Sequence, residues 1–531
     1  MGRERSWWGW GWADRALDPA ASARLGARVS GFGLPLDGNL LPVPEPAGLA
    51  LPEPRVGPPD TLAPLCRTDP LSRAAHAHGK AYRDVVRNLR GELAHAPDLI
   101  AYPRTEADLV SLLDWAGAAD VAVVPFGGGT SVVGGVECRD RSRPVLTIDL
   151  TGLSGVIEVD ELSRAARIRA GTLGPDLEGQ LRPYGLTLRH FPQSFEFSTL
   201  GGWVATRAGG HFATGPTHID DLVEAVRVVT PAGVAESLRV PGSGAGPSPD
   251  RLWLGSEGAL GVITEAWVRV QPRPRFRAAT AVGFEAYADA VAATRDVAQS
   301  GLRPANCRLL DPLEAMLGAG VTDGSCRLLL GFESADHPLD AALDRAVQIC
   351  RAYRGNPDAP AAAPEPATAA TRDAIAEWGD TFRSAPYLRD ALARLGVVVE
   401  TFETACTWTA FEALHAGVIE AVVQAGVATT GAPALVTCRF THVYPDGPAP
   451  YFTVYAAGRR GAEVAIWDQL KAAASEAILA HGGTITHHHA VGRDHRPWYD
   501  RQRPDPYTLA LRAAKQALDP GHILNPGVLV D

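Results

Sequence analysis

The chain has 531 residues, 46% of them hydrophobic, enough for sizeable cores and about three domains. A formal net charge of −10, with a pI near 5.9, argues against nucleic acid or an anionic membrane as the main target of its activity. No uninterrupted run of eighteen apolar residues occurs, so no membrane-spanning helix is expected. The stretch M-G-R-E-R-S-W-W-G-W-G-W lacks the apolar core of a secretory signal, and P-G-V-L-V-D is neither a peroxisomal nor a retention signal. The cysteines at 66, 138, 307, 326, 350, 406 and 438 form no C-x-x-C pair and are odd in number, which points to a reducing cytoplasm and no thiolate metal site. Lys occurs only at 80, 471 and 515, and this Arg bias with abundant Ala, Gly and Pro suggests a GC-rich bacterial genome.

In chain order, the Pro-rich stretch 34–64 reads as a connector. A helical pattern spans 81–95, D-L-I-A-Y-P is a short strand, and Thr105 is placed to cap the helix that follows it. An apolar strand then runs into V-P-F-G-G-G-T-S-V-V-G-G at 124–135. Three adjacent glycines leave backbone N–H groups bare, a concavity that suits a diphosphate, although an ordinary turn would also tolerate them. The loop is neither G-x-x-x-x-G-K-[ST] nor a G-x-G-x-x-G that opens a helix. P-V-L-T-I-D-L, G-V-I-E-V-D and R-A-A-R-I-R-A-G are strand candidates, and P-D-L-E-G-Q-L reads as a helix with Pro175 near its start. From 275 to 455 longer helices such as Y-A-D-A-V-A-A-T-R-D-V-A alternate with strands such as C-R-L-L-L-G-F and Y-F-T-V-Y-A-A, broken by a low-complexity loop at 356–371. A helix near 463–480, the T-H-H-H-A-V-G cluster and L-D-P-G-H-I-L-N-P-G-V-L close the chain. The expected fold class is α+β, with an N-terminal extension at 1–64, a cofactor domain at 65–275, a cap domain at 276–455 and a closing segment at 456–531.

The glycine loop has two companions, F-P-Q-S-F-E-F-S-T-L-G-G-W-V-A-T-R-A-G-G at 191–210 and G-S-E-G-A-L-G-V-I-T-E at 255–265. In this order and spacing the three resemble the flavin-binding domain of the vanillyl-alcohol-oxidase/p-cresol-methylhydroxylase superfamily. The resemblance implies FAD between two α+β subdomains, held by Pro125, Gly127, Gly128, Gly129, Thr130, Ser131 and Val132. Pro192, Ser194, Ser198, Thr199, Gly201, Gly202, Thr206 and Ala208 complete its surroundings, together with Glu257, Gly258, Leu260, Gly261, Val262 and Ile263. Many members of that superfamily attach flavin through a His in the first loop; the resemblance puts Thr130 at that position, which cannot form the bond, so the FAD is expected to be non-covalent.

Further segments narrow the likeness: W-W-G-W-G, H-A-H-G at 76–79, Y-L-R-D at 387–390, F-E-T-A at 402–405 and T-H-H-H-A-V-G. With the others they resemble the alkyldihydroxyacetonephosphate synthases over nearly the whole chain. That family exchanges the acyl group of acyl-dihydroxyacetone phosphate for a fatty alcohol, with flavin N5 thought to hold the substrate carbon and no net redox change. By position, Arg389 matches the arginine assigned to the departing carboxylate and Tyr451 the acid/base tyrosine. Arg308 matches an arginine needed for activity, and His487, His488 and His489 the cluster beside flavin edge and phosphate. Cations for a phosphate, a proton carrier and an arginine fork form a coherent set. Taken singly, the histidines suit a solvated loop or an adventitious metal site, Arg389 a surface ion pair, Tyr451 a core aromatic, Arg308 a pairing with Asp311, Glu257 a surface carboxylate and the Trp cluster a packing anchor.

Gln193 replaces the family's acid and Ala490 its glycine, which bears on proton handling and loop stiffness. The rival reading is an FAD-dependent 2-hydroxy-acid dehydrogenase or oxidase. Its H-x-x-D-G-N-x-H and G-E-H-G metal motifs appear here as H-V-Y-P-D-G-P-A-P-Y and H-H-H-A, so no metal is expected. The other expectations are a lipid-like small molecule or a hydroxy acid as substrate, no nucleic acid, a homodimer, and a cytoplasmic location with peripheral membrane contact.

Overall fold

The computed structural model describes residues 3–34, 40–212, 214–358 and 374–531. Thr105 caps the helix Glu106–Ala118 as its residue type dictates: its hydroxyl accepts from Asp108 N at 3.1 Å while the Asp108 carboxylate accepts from Thr105 N at 2.9 Å. The helix buries Leu109, Leu112, Leu113 and Ala116 with Val123, Leu146 and Ile148. Each large apolar side chain so buried contributes roughly 1.5–3 kcal/mol. Leu99–Ala101 and Ala122–Phe126 flank Val145–Asp149 in parallel, and Cys66–Arg67 adds an antiparallel edge. The chain's end joins this sheet, since Val123 N donates to Ile523 O and Asn525 N to Val123 O, each at 2.7 Å.

A five-stranded antiparallel sheet follows, in the order Val156–Asp160, Ala165–Arg169, Val262–Arg269, Val223–Thr230, Gly233–Glu236. Leu200–Thr206, a helix absent from the sequence reading, is capped by Thr199 and buries Trp203 and Val204 against that sheet. The helical pattern read at 81–95 forms only Tyr82–Leu89, because Gly91, at φ +68°, turns the chain.

The third major sheet has seven antiparallel strands, ordered Asn356–Pro357, Phe276–Phe284, Cys326–Ser334, Asn306–Leu310, Leu435–Val443, Pro448–Ala457, Val397–Glu403. Beyond residue 358 the low-complexity stretch lies outside the described residues. Alternation along the strands divides the labour of the two faces. Val398, Phe402, Phe452 and Val454 pack with Leu414, Val418 and Ile478 of the helices Trp408–Thr430 and Glu463–Ala480. The residues between them face a large cavity. By length and a mean hydropathy of 1.2, Trp408–Thr430 reaches the size and composition of a membrane span, a feature the count of uninterrupted apolar residues had passed over. Glu412, Glu420 and Gln424 interrupt it, and its buried Phe411, Leu414, Val418 and Val422 form one stripe against the sheet.

Candidate active site

The cavity, about 560 Å³, lies where the glycine loop, the 191–210 segment, the 257–263 segment and the open face of the seven-stranded sheet meet. Of the residues expected around FAD, all but one line it: Pro125, Gly127–Val132, Pro192, Ser194, Ser198, Thr199, Gly201, Gly202, Thr206, Ala208, Glu257, Gly258, Gly261, Val262 and Ile263. Leu260 is the correction. It is 1% exposed and belongs to the core of the five-stranded sheet.

Two of the glycines serve a purpose besides ligand approach. A Cβ on Gly127 would come within 2.3 Å of Thr199 Oγ1, and one on Gly128 within 1.8 Å of Phe197 O, so their bareness lets the two loops touch. The ligand-facing feature is the backbone itself. Among the described residues no hydrogen bond is made by the N–H groups from Gly128 to Val132, although they line the cavity. A row of bare N–H groups is a seat for a pyrophosphate, so these residues fit FAD.

Two buried carboxylates hold the histidine loop against this pocket. Glu403 accepts from the backbone N–H of His487 (2.5 Å), His488 (3.1 Å) and His489 (2.8 Å) and from Thr486 Oγ1 (2.7 Å). Burial opposes its charge, but the donors the loop aims at it, the Thr486 hydroxyl among them, hold its carboxyl well below the usual range. Glu257 accepts from Val491 N and Gly492 N, both at 2.8 Å, and burial pushes its carboxyl up to about 7 against those two bonds. Glu257 therefore lines the cavity while its oxygens secure the loop.

Of the expected catalytic set, Tyr451, Arg389, Arg308, His488 and His489 line the cavity. His487 does not; it stands behind His488, with their Nδ1 atoms 2.9 Å apart. Burial lowers the pKa of all three imidazoles, that of His489 to about 3, which leaves them neutral. Arg389 is partly committed: Nε and Nη2 donate to Asp390 Oδ1 at 3.0 and 2.7 Å, and Nη1 to Lys80 O at 2.6 Å. Arg308 reaches from Asn306–Leu310 and donates to His211 O at 3.2 Å. Gln193 donates to Phe382 O at 2.8 Å, an attachment that an acid in its place could not make.

Sequence reasoning missed Arg439. Its guanidinium pairs with Glu314 at 2.7 Å and lies 3.9 Å over the ring of Tyr451, directly across the ladder. Burial raises the Tyr451 phenol and Arg439 draws it back. The missed signal is cross-strand: C-R-F-T-H carries an arginine on the tyrosine's face only once register is known. Also unforeseen are Leu25, Val29 and Leu34 of the N-terminal extension, which line the cavity with Leu392 and Leu435.

Comparison with known proteins accords with this geometry. Residues 97–239 match the family described as FAD binding domain, and 273–529 match FAD linked oxidases, C-terminal domain. A solved structure of p-cresol methylhydroxylase with substrate bound superposes with a TM-score of 0.68 at 15% identity, over 88% of this chain and 94% of that one. The protein is thus an FAD-dependent enzyme with the p-cresol-methylhydroxylase type of fold. A solved structure of alkyldihydroxyacetonephosphate synthase matches at TM-score 0.79 and 26% identity, covering 98% of each chain. The alkyldihydroxyacetonephosphate synthase of Trypanosoma brucei brucei is 31% identical over 493 residues, 87% of this chain and 78% of that protein. The chain belongs to the alkyldihydroxyacetonephosphate synthase family.

Proposed function

We propose that the protein exchanges the acyl group of acyl-dihydroxyacetone phosphate for a fatty alcohol. The observation that carries this reading is a graded sheet face. Across three neighbouring strands the rows in register run Glu403–Tyr451–Arg439, then Thr401–Thr453–Thr437, then Val399–Tyr455–Leu435, and all of these but Glu403 and Thr437 line the cavity. Polarity falls row by row, and Leu25, Val29, Leu34 and Leu392 extend the apolar end within the same cavity. Such a surface suits a substrate with an ionic head and a long apolar chain. A small hydroxy acid leaves the apolar end unused.

When bound, FAD supplies a nucleophilic nitrogen at the edge of its ring system. The chain's own groups do the rest. Arg308 and Arg439 bring fixed positive charge to a phosphate or carboxylate, and the remaining N–H groups of Arg389 can share that task. Tyr451, its phenol balanced between burial and Arg439, holds or receives a proton at its oxygen. Neutral His488 and His489 offer nitrogen donors or lone pairs without the cost of a buried charge. The lipid-like substrate favours peripheral membrane contact, and our reading keeps a homodimer, a cytoplasmic location and a bacterial source, the last on composition alone.

The test is anaerobic. Holoprotein with acyl-dihydroxyacetone phosphate and hexadecanol should form ether product and free fatty acid with no electron acceptor present. Rapid bleaching of the flavin by D-lactate or D-2-hydroxyglutarate, without ether formation, would replace this reading with a dehydrogenase.

A further inference from the structure

A chain of hydrogen-bonding side chains leads from the FAD cavity to Tyr444, a residue on the wall of a second, shallower cavity. His488 lines the first. Its Nδ1 is 2.9 Å from His487 Nδ1, and His487 Nε2 is 2.7 Å from the Tyr444 hydroxyl and 3.1 Å from His218 Nε2. Tyr444 lines the second cavity, with Asp446, Thr484 and Arg501, and its hydroxyl also meets Thr217 Oγ1 at 2.9 Å.

One backbone carbonyl fixes the direction of the whole chain. Arg207 O, 2.9 Å from His218 Nδ1, can only accept, so His218 carries its proton on Nδ1 and a lone pair on Nε2. His487 Nε2 must then carry a proton, which it shares between His218 Nε2 at 3.1 Å and the Tyr444 oxygen at 2.7 Å, so the Tyr444 hydroxyl proton turns to Thr217 Oγ1. In a neutral ring this leaves His487 Nδ1 bare, so it accepts from Nδ1–H of His488. The remaining nitrogen of His488, Nε2, is a lone pair with no hydrogen-bonding partner among the described residues. Burial lowers the pKa of His218, His487 and His488 alike, which keeps each ring neutral as this ordering requires.

We propose that His488, His487 and Tyr444 form a proton outlet from the FAD cavity, with His218 as the positioning residue that sets its tautomers. The proposal rests on the acyl-for-alkoxy exchange above. In that exchange the bond from substrate carbon to acyl oxygen breaks, and its electron pair leaves with the carboxylate. A bond from the same carbon to the alcohol oxygen forms, and the alcohol proton is released. At neutral pH the fatty acid stays ionised, so one proton per turnover must leave a buried site. His488 Nε2 takes that proton, Nδ1–H passes to His487, Nε2–H passes to the Tyr444 oxygen, and the Tyr444 hydroxyl proton goes on to the second cavity.

Two measurements on the holoprotein test this. Nitrogen-15 spectra of histidine-labelled protein, assigned with single His→Gln variants, should show Nδ1–H for His218, Nε2–H for His487 and Nδ1–H for His488. Tyr444→Phe keeps the ring but removes the hydroxyl. It should retain FAD and melting temperature, lose about tenfold or more in ether formation, show a larger solvent deuterium isotope effect, and regain rate with added imidazole. Any other tautomer pattern overturns the outlet, as does wild-type turnover in Tyr444→Phe or a loss that imidazole does not restore. If wild-type protein makes no ether product, the exchange reading fails, and the nitrogen-15 pattern alone decides the outlet.

Discussion

The guanidinium carbon of Arg439 stands 3.9 Å over the ring of Tyr451, its cross-strand partner, and one of its nitrogens is tied to Glu314 at 2.7 Å. The stack opposes the rise that burial imposes on the phenol. A desolvated contact of this kind is worth about 2 kcal/mol. Arg439→Lys keeps a cation for Glu314 but gives up the planar stack. The Tyr451 pKa should therefore rise further, moving the activity limb that depends on the ionised phenol to higher pH by about one unit. The check is a pH–rate profile at equal FAD content. An unshifted limb would remove Arg439 from the proton chemistry.

Glu403 bears on stability as well as activity. Its folded carboxyl lies well below its ordinary 4.5 because the charged form is the one the loop binds. A depressed carboxyl contributes stability that is complete above the unfolded value and is lost as pH falls through the folded one. Glu403→Gln should destabilise the protein by about 3 kcal/mol at pH 7, since an amide nitrogen cannot accept from the loop N–H groups. The gap from wild type should narrow below about pH 4.5. Denaturant titrations at pH 7 and pH 4 measure both.

The sequence carried the local structure well. Thr105 and its partner Asp108 announce a helix start, and the alternation in Y-F-T-V-Y-A-A announces a strand with two faces. The glycine loop and its two companions announce the FAD cavity. What stayed hidden depends on register and on long-range return of the chain. Arg439 is an unremarkable strand arginine until the ladder sets it across from Tyr451. Leu260 lies within a pocket segment, yet its own side chain turns into the core. His487, in an unbroken run of three histidines, falls behind the other two because the Glu403 carboxylate gathers all three backbone N–H groups. Thr199 as a helix cap was masked by the glycines at 201 and 202, which lower helix propensity.

Thr130 lines the cavity in the glycine loop, and its hydroxyl cannot form a histidyl–flavin bond. The purified protein should be yellow and release intact FAD on acid precipitation or heating. Flavin fluorescence remaining on the polypeptide in a denaturing gel would show a covalent link at another residue.

The Trp-rich start does more than anchor. Arg5 donates to Gly128 O at 3.0 Å and lies 5.1 Å over the ring of Phe197, so it grips both loops of the FAD cavity. Trp10 N donates to Asp390 at 2.6 Å, Trp12 N to the Tyr387 hydroxyl at 3.1 Å, and Trp12 Nε1 to Glu196 at 2.6 Å. The segment thereby ties the glycine loop to the helix Ala374–Arg394, and through Asp390 to Arg389. Each such hydrogen bond contributes about 1 kcal/mol net. A chain beginning at Ala13 should still fold, because its three main sheets lie beyond that point, but should lose FAD at least about tenfold faster. Stopped-flow recovery of flavin fluorescence after dilution measures the rate. An unchanged rate, with unchanged melting temperature, would return the tryptophans to plain packing.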